Sequence, residues 1–294
     1  MDHNDFAKRV ERIVGNVELA VSGKRDGVFL AVVAMLAGGH VLIEDVPGVG
    51  KTLLAKSLAR SLRAEFRRIQ FTPDLLPADV TGLNVYNQGE GDFEFWAGPV
   101  FANVVLADEI NRASPKTQSA LLEAMEEGSV TVDGVTRHLS QPFCVVATQN
   151  PVEHEGTYPL PHAELDRFMI KMQVGYPDED AETEMLKLSQ DPVADLAPVV
   201  GVEEFLEMRN LVEDVYLGAS PRASRMLLAA SRARAASNGR SYCAPDDVKA
   251  MASSVLSHRI IPSATSSEDG IGPDNATREI VEDILRSVPV TEAV

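Results

Sequence analysis

From Phe29 to Ala37 every position is apolar, which suits a buried helix, and the pair Gly38-Gly39 ends it. His40-Val41-Leu42-Ile43 then reads as a short buried strand. After a glycine-rich stretch, Lys51 to Leu62 predicts a second helix, because Leu54, Leu58 and Leu62 recur four residues apart and fall on one face. Val104 to Ala107 and Phe143 to Ala147 are uninterrupted apolar runs. Such runs suit strands buried on both faces, and helical stretches between them imply parallel crossover connections. The expected class is α/β, a parallel sheet between layers of helices.

Past Pro177 the pattern changes. No convincing strand follows, and helical stretches are predicted over Asp178 to Ser189, Val202 to Tyr216, Pro221 to Ala236 and Pro245 to Leu256. Ser220-Pro221 and Ala244-Pro245 place proline in the first turn, where its missing N–H costs nothing. This predicts a small all-helical domain. Pro262 to Asp274 is rich in Ser, Gly and acid and reads as a link to a last helix over Ala276 to Ser287. The expected division is therefore an α/β core over 1–176, a helical unit over 177–260, and a link with a C-terminal helix over 261–294.

Charge narrows the partners. The 294 residues carry 27 Lys plus Arg against 44 Asp plus Glu, a formal net charge of -17, which argues against an extended nucleic-acid backbone as the main partner. The 2 cysteines, Cys144 and Cys243, lie far apart and form neither a disulfide framework nor a metal-ligand spacing, so a reduced, cytoplasmic setting fits. The acidic start Met1-Asp2-His3-Asn4-Asp5 is unlike a signal peptide, and the longest apolar run, beginning at Val28, is too short to span a bilayer. No membrane insertion is expected.

The candidate chemistry begins at Asp45-Val46-Pro47-Gly48-Val49-Gly50-Lys51-Thr52. This matches the Walker A pattern at its second glycine, lysine and threonine, with Asp45 where the first glycine usually stands. Gly48 and Gly50 allow backbone N–H groups to converge on phosphate oxygens. Lys51 supplies a cation for the β and γ phosphates, and the Thr52 hydroxyl is a magnesium ligand. Pro47, Val49 and Leu53 complete the predicted nucleotide-binding segment. The competing reading, an ordinary glycine-rich turn with an incidental lysine, does not explain the strand before it and the helix after it.

Val104-Val105-Leu106-Ala107-Asp108-Glu109 is a buried strand ending in two carboxylates, and the C-terminal strand ends of an open parallel sheet line its ligand crevice. Asp108 would hold magnesium, and Glu109 would orient and deprotonate the water that attacks the γ-phosphate. Ser114-Pro115 reads as an N-cap and first-turn proline of a helix that Gly128 ends.

Several blocks together resemble one family. Ile43 through Thr52, Gln70-Phe71-Thr72-Pro73-Asp74-Leu75-Leu76-Pro77 and Asp108-Glu109-Ile110-Asn111-Arg112-Ala113 are similar to the MoxR family of AAA+ ATPases. So are Ala147-Thr148-Gln149-Asn150-Pro151, Gly156-Thr157-Tyr158-Pro159-Leu160-Pro161 and Leu165-Asp166-Arg167-Phe168. The resemblance covers nearly the whole chain and includes Asp45 in place of glycine; His162 departs from the acidic residue expected at its position.

The resemblance implies an AAA+ P-loop core followed by a helical lid, with ATP and Mg2+ as cofactors. It makes Asn150 the sensor 1 residue, Arg167 an arginine finger reaching a neighbour's γ-phosphate, and Arg222 the sensor 2 residue, with Arg225 as competitor. It further implies a ring, expected to be a hexamer, acting chaperone-fashion on client proteins, with a von Willebrand factor A domain protein as partner class. Hairpin insertions are implied near 83–96 and 130–139, where Gln88-Gly89-Glu90-Gly91-Asp92 and Asp133-Gly134 are turn signals. Phe93, Phe95 and Trp96 either contact a client or pack on the sheet. A nucleic-acid motor or loader is the alternative function, disfavoured by the acidity.

Overall fold

The structure, a computed structural model, describes residues 3–151, 156–176, 191–213, 222–259, 281–282 and 285–286. The predicted helix over Asp178 to Ser189, the link from Pro262 and most of the predicted last helix lie outside the described residues.

Five strands form one sheet: β1 (Val41–Glu44), β2 (Phe66–Gln70), β5 (Val104–Asp108), β8 (Cys144–Gln149) and β9 (Ile170–Met172). Their order is β2-β5-β8-β1-β9 and every pairing is parallel, so all five C-terminal ends face one edge. Period-two alternation sends successive residues to opposite faces. Val41, Ile43, Val104, Leu106 and Val146 join one core with α1 (His3–Glu18), α2 (Arg25–Leu36) and α3 (Lys51–Ser61). Leu42, Val105, Ala107, Val145 and Ala147 join a second core. That second core is completed by Leu121, Leu122 and Met125 of α5 (Pro115–Glu127), whose preceding Ser114 side chain accepts the Thr117 N–H as its cap.

Besides the short helices near 77–81 and 162–165, three elements escaped the sequence reading. Helix α1 buries Phe6, Val10, Ile13, Val14 and Val17, a helical stripe that packs against α2 and α3. Strand β2 is Phe-Arg-Arg-Ile-Gln; as an edge strand it buries only Ile69, so its composition lacks the apolar run of the central strands. Strand β9 has 3 residues, too few to show a period.

Two antiparallel hairpins interrupt the core. In the first, β3 (Gly82–Asn87) pairs with β4 (Asp92–Ala97), Leu83 opposite Trp96 and Tyr86 opposite Phe93. In the second, β6 (Ser129–Val132) pairs with β7 (Val135–His138). They touch through Asn84 Nδ2, which donates to Asp133 Oδ2 at 2.7 Å, and through the Arg137 guanidinium, 3.8 Å above the Phe95 ring. Phe95 also meets Phe101 edge-on, whereas Phe93 and Trp96 remain 66% and 59% exposed. The three aromatics therefore divide: one packs and two face outward.

A short α4 (Pro77–Thr81) precedes the first hairpin and α6 (His162–Leu165) precedes β9. Beyond the sheet come α7 (Val202–Glu213), α8 (Arg222–Ser237) and α9 (Pro245–Leu256), with α8 packed against α1, α2, α7 and α9. Asp247 at the start of α9 is fully buried. It is neutralised by the Arg234 and Arg240 guanidiniums at 2.5 and 2.6 Å and also accepts the Ala244 N–H at 2.9 Å. Among the described residues, no helix is long and apolar enough to cross a membrane.

Candidate functional site

Where β1 ends, the chain turns through Asp45 to Gly50 into α3. Gly48 and Gly50 have φ of 89° and 91°, the left-handed region that glycine enters at no cost, so the loop's N–H groups curl toward one point. Helix α3 begins at Lys51, and its first-turn N–H groups have no helical acceptor of their own. Val49 points the other way and is buried in the core.

A cavity of about 670 Å³ opens over this turn. Of the residues singled out in the sequence, Pro47, Gly48, Gly50, Lys51, Thr52, Leu53, Asp108, Glu109 and Asn150 line it. They arrive from the loop after β1, from α3 and from the ends of β5 and β8, the strand ends that the parallel sheet aligns. Its volume falls in the range of small-molecule sites.

Lys51 Nζ donates to the Asp45 carbonyl oxygen at 2.6 Å. Burial lowers its pKa from the ordinary lysine value, and the charges of Asp45, Asp108 and Glu109 oppose that. The Asp45 side chain does not line the cavity.

The acid pair is tightly held. The Thr148 hydroxyl donates to Asp108 Oδ1 at 2.6 Å and accepts the Glu109 N–H at 2.8 Å, so one residue of β8 positions both acids. Arg68 of β2 donates to Asp108 Oδ2 through Nη2 at 2.6 Å and Nε at 3.2 Å. Glu109 Oε2 accepts from Arg112 Nη1 at 2.9 Å and from Gln70 Nε2 at 3.1 Å. Glu109 itself has φ 57°, a left-handed conformation that costs a non-glycine residue about 1–2 kcal/mol.

Two oxygen donors that line the cavity, the Thr52 hydroxyl and the Asp108 carboxylate, fit a hard divalent cation that keeps several waters and takes its remaining ligands from phosphate. No cluster of three or more His, Cys, Asp or Glu able to hold a metal occurs among the described residues. A protein-only metal cage is therefore not formed by them.

Arg167 does not line this cavity. Its Nε donates to Glu126 Oε2 of α5 at 2.8 Å, in a second depression of about 620 Å³ lined also by Glu123, Glu127 and Glu164. Arg222 is the first residue of α8, and its side chain lies outside the described residues; Arg225, one turn on, is exposed. Arg68, Gln70, Arg112 and Thr148 were given no role by the sequence. The only available signal for Gln70, Arg112 and Thr148 was their presence inside the blocks shared with the family.

The chain is similar to known proteins over most of its length. The family described as "ATPase family associated with various cellular activities (AAA)" matches residues 40–170, and the "AAA lid domain" matches residues 211–284. The chain is 48% identical to the protein YeaC of Bacillus subtilis over 97% of each chain. It is 39% identical to Chaperone MoxR1 of Mycobacterium tuberculosis, over 97% of this chain and 84% of that one. A crystal structure from Cytophaga hutchinsonii superposes with a TM-score of 0.89 at 38% identity, covering 99% of this chain and 97% of the other.

Proposed function

The chain belongs to the MoxR family of AAA+ ATPases, and from that membership we propose that it binds Mg-ATP in the cavity over Gly48–Thr52 and hydrolyses it to remodel or activate client proteins. The observation that carries this is the convergence of Lys51, Thr52, Asp108, Glu109 and Asn150 on one cavity at the C-terminal edge of the sheet.

In this reading the loop N–H groups and the α3 N-terminus hold the β-phosphate, and Lys51 leaves the Asp45 carbonyl to reach the β and γ phosphates. Thr52 and Asp108 hold magnesium, which neutralises charge on the phosphate oxygens. Glu109, freed in part from Arg112 and Gln70, orients the attacking water and takes its proton, with Asn150 as a further hydrogen-bonding group.

Arg167 lies outside its own subunit's cavity, which supports action in trans on a neighbour and hence a ring, proposed as a hexamer. Arg222, or Arg225 in its place, would report the nucleotide to the lid. The proposed division is core 1–176, lid 177–260 and C-terminal segment 261–294, with a von Willebrand factor A domain protein as partner class and the cytoplasm as compartment. The exposed Phe93 and Trp96 favour client contact for that hairpin.

The test is Glu109→Gln. Undiminished ATP affinity with turnover lowered by at least about 100-fold is expected for loss of a general base; unchanged hydrolysis sinks the assignment.

A further inference from the structure

Of the cationic side chains that line the nucleotide cavity, Lys56 and Arg68 lie outside the Walker loop, and Arg68 is the one paired with Asp108. It sits on the edge strand β2, whose Gln70 lies directly opposite Asp108 in the parallel register. Its guanidinium places Nε and Nη2 on Asp108 Oδ2, and Nη2 also reaches Gln70 Oε1 at 2.6 Å. Because that amide oxygen accepts from Arg68, the amide nitrogen is turned to Glu109 Oε2. The second Asp108 oxygen is engaged by Thr148.

Both oxygens of the proposed metal-binding carboxylate therefore already have donors. The two sides of the ion pair differ in freedom: the Asp108 side chain is 13% exposed, the Arg68 side chain 47%. Arg68 is the partner with room to withdraw. Nη2 alone reaches both Asp108 Oδ2 and Gln70 Oε1, and Nε adds a second donor on Oδ2 that a lysine would lack.

We infer that Arg68 is a resident counter-ion of Asp108 which a divalent cation must displace. Loading of metal with nucleotide is then an exchange of cations at Asp108. A dication and a guanidinium cannot share Oδ2 without strong like-charge repulsion. Departure of Arg68 also frees the Gln70 amide and with it one of the two contacts on Glu109, so metal arrival and release of the catalytic base are joined. The inference rests on the Mg-ATP reading above.

A fluorescent ATP analogue, titrated against the full chain with Mg2+ and with EDTA, measures the ratio of the two dissociation constants; Mn2+ binding followed by electron paramagnetic resonance gives a second readout. Arg68→Gln is expected to weaken binding in EDTA and to raise the EDTA-to-Mg2+ ratio about fivefold, the equivalent of one partly exposed ion pair. Mn2+ should bind the ATP complex of that variant correspondingly more tightly. Arg68→Lys, which retains charge without the fork, should fall between the two. A ratio that is unchanged or smaller overturns the inference, and an equal loss in both conditions, the mark of a merely structural arginine, does the same. If Arg68→Gln does not fold, the ratio for Arg68→Lys is decisive on the same terms. Wild-type protein that binds no nucleotide would overturn the ATP reading itself, a distinguishable failure.

Discussion

The Asp45 carboxylate accepts the main-chain N–H of Gly175 at 2.6 Å, and the same oxygen accepts the Val174 N–H at 2.9 Å. The first residue of the phosphate loop is thereby tied to the chain leaving β9. Its other oxygen accepts its neighbour's Val46 N–H at 2.9 Å, and its carbonyl receives Lys51. A position usually given to glycine here carries a side chain that stays out of the cavity and anchors the loop to the 174–175 main chain.

Asp45→Ala should cost about 1–3 kcal/mol, because it removes a charged acceptor from two partly buried N–H groups. Asp45→Asn, which retains one acceptor oxygen, should cost less. Chemical denaturation measures both, and an alanine variant within about 0.5 kcal/mol of wild type would show that the anchor contributes nothing beyond an ordinary surface change.

Arg167→Ala should reduce assembled turnover by about 10³-fold, the range for loss of an arginine finger, while leaving ATP affinity nearly unchanged. The reason is its place beside Glu126 rather than in its own nucleotide cavity. A loss of affinity equal to the loss of turnover would put the residue in cis and reject the trans assignment.

Gln118 is buried, and its amide nitrogen donates to the carbonyls of Ile110 at 3.1 Å, Ala113 at 3.2 Å and Tyr158 at 2.9 Å. It cross-links the turn after Glu109 to the 156–161 loop, as does the Tyr158 N–H on the Asn111 carbonyl at 2.6 Å. Gln118→Leu keeps the volume and orphans these acceptors, so a loss of about 2–3 kcal/mol is expected in denaturant unfolding. An effect under about 0.5 kcal/mol would mean that water or a shifted backbone replaces the amide.

His40 is 6% exposed; its Nδ1 accepts the Val145 N–H at 3.0 Å and its Nε2 donates to the Met125 carbonyl at 3.1 Å. This places the proton on Nε2 of a neutral ring, and burial lowers its pKa from 6.5 to about 4. The unfolded chain takes up a proton first as pH falls. Stability is therefore complete above about pH 6.5 and is lost down to about pH 4, by up to about 3 kcal/mol in total. Stability curves at pH 7, 5.5 and 4.5 check this, with His40→Gln expected to be less stable at pH 7 and to have a shallower acid slope. Parallel slopes in the two proteins would remove His40 as the source.

The central strands were legible because burial on both faces leaves an uninterrupted apolar run, as at Val104 to Ala107. The loop and the acid pair were legible because phosphate and metal chemistry restrict residue types over a few consecutive positions. Strand β2 was not, because an edge position lets Arg67 and Arg68 stand in solvent where a central strand would need apolar residues. Helix α1 carries its stripe in plain view at Phe6, Val10, Ile13 and Val17.

The fate of the hairpin aromatics was not decidable from spacing. Phe93 and Phe95 have the same period and lie on the same face of the hairpin, and only the arrival of Phe101 and Arg137 from elsewhere separates the packed ring from the exposed one.

By itself the sequence determined a parallel α/β sheet with a phosphate loop after β1 and two acids after β5, since periodicity and local residue type suffice for those. Only the tertiary structure decided which polar groups meet: Asp45 with Gly175, Asp108 with Arg68 and Thr148, Glu109 with Gln70, and Arg167 with Glu126. Apart from Asp45, these contacts join residues about forty positions apart. They depend on strand order and register, which local patterns do not encode and which the packing of the whole core imposes.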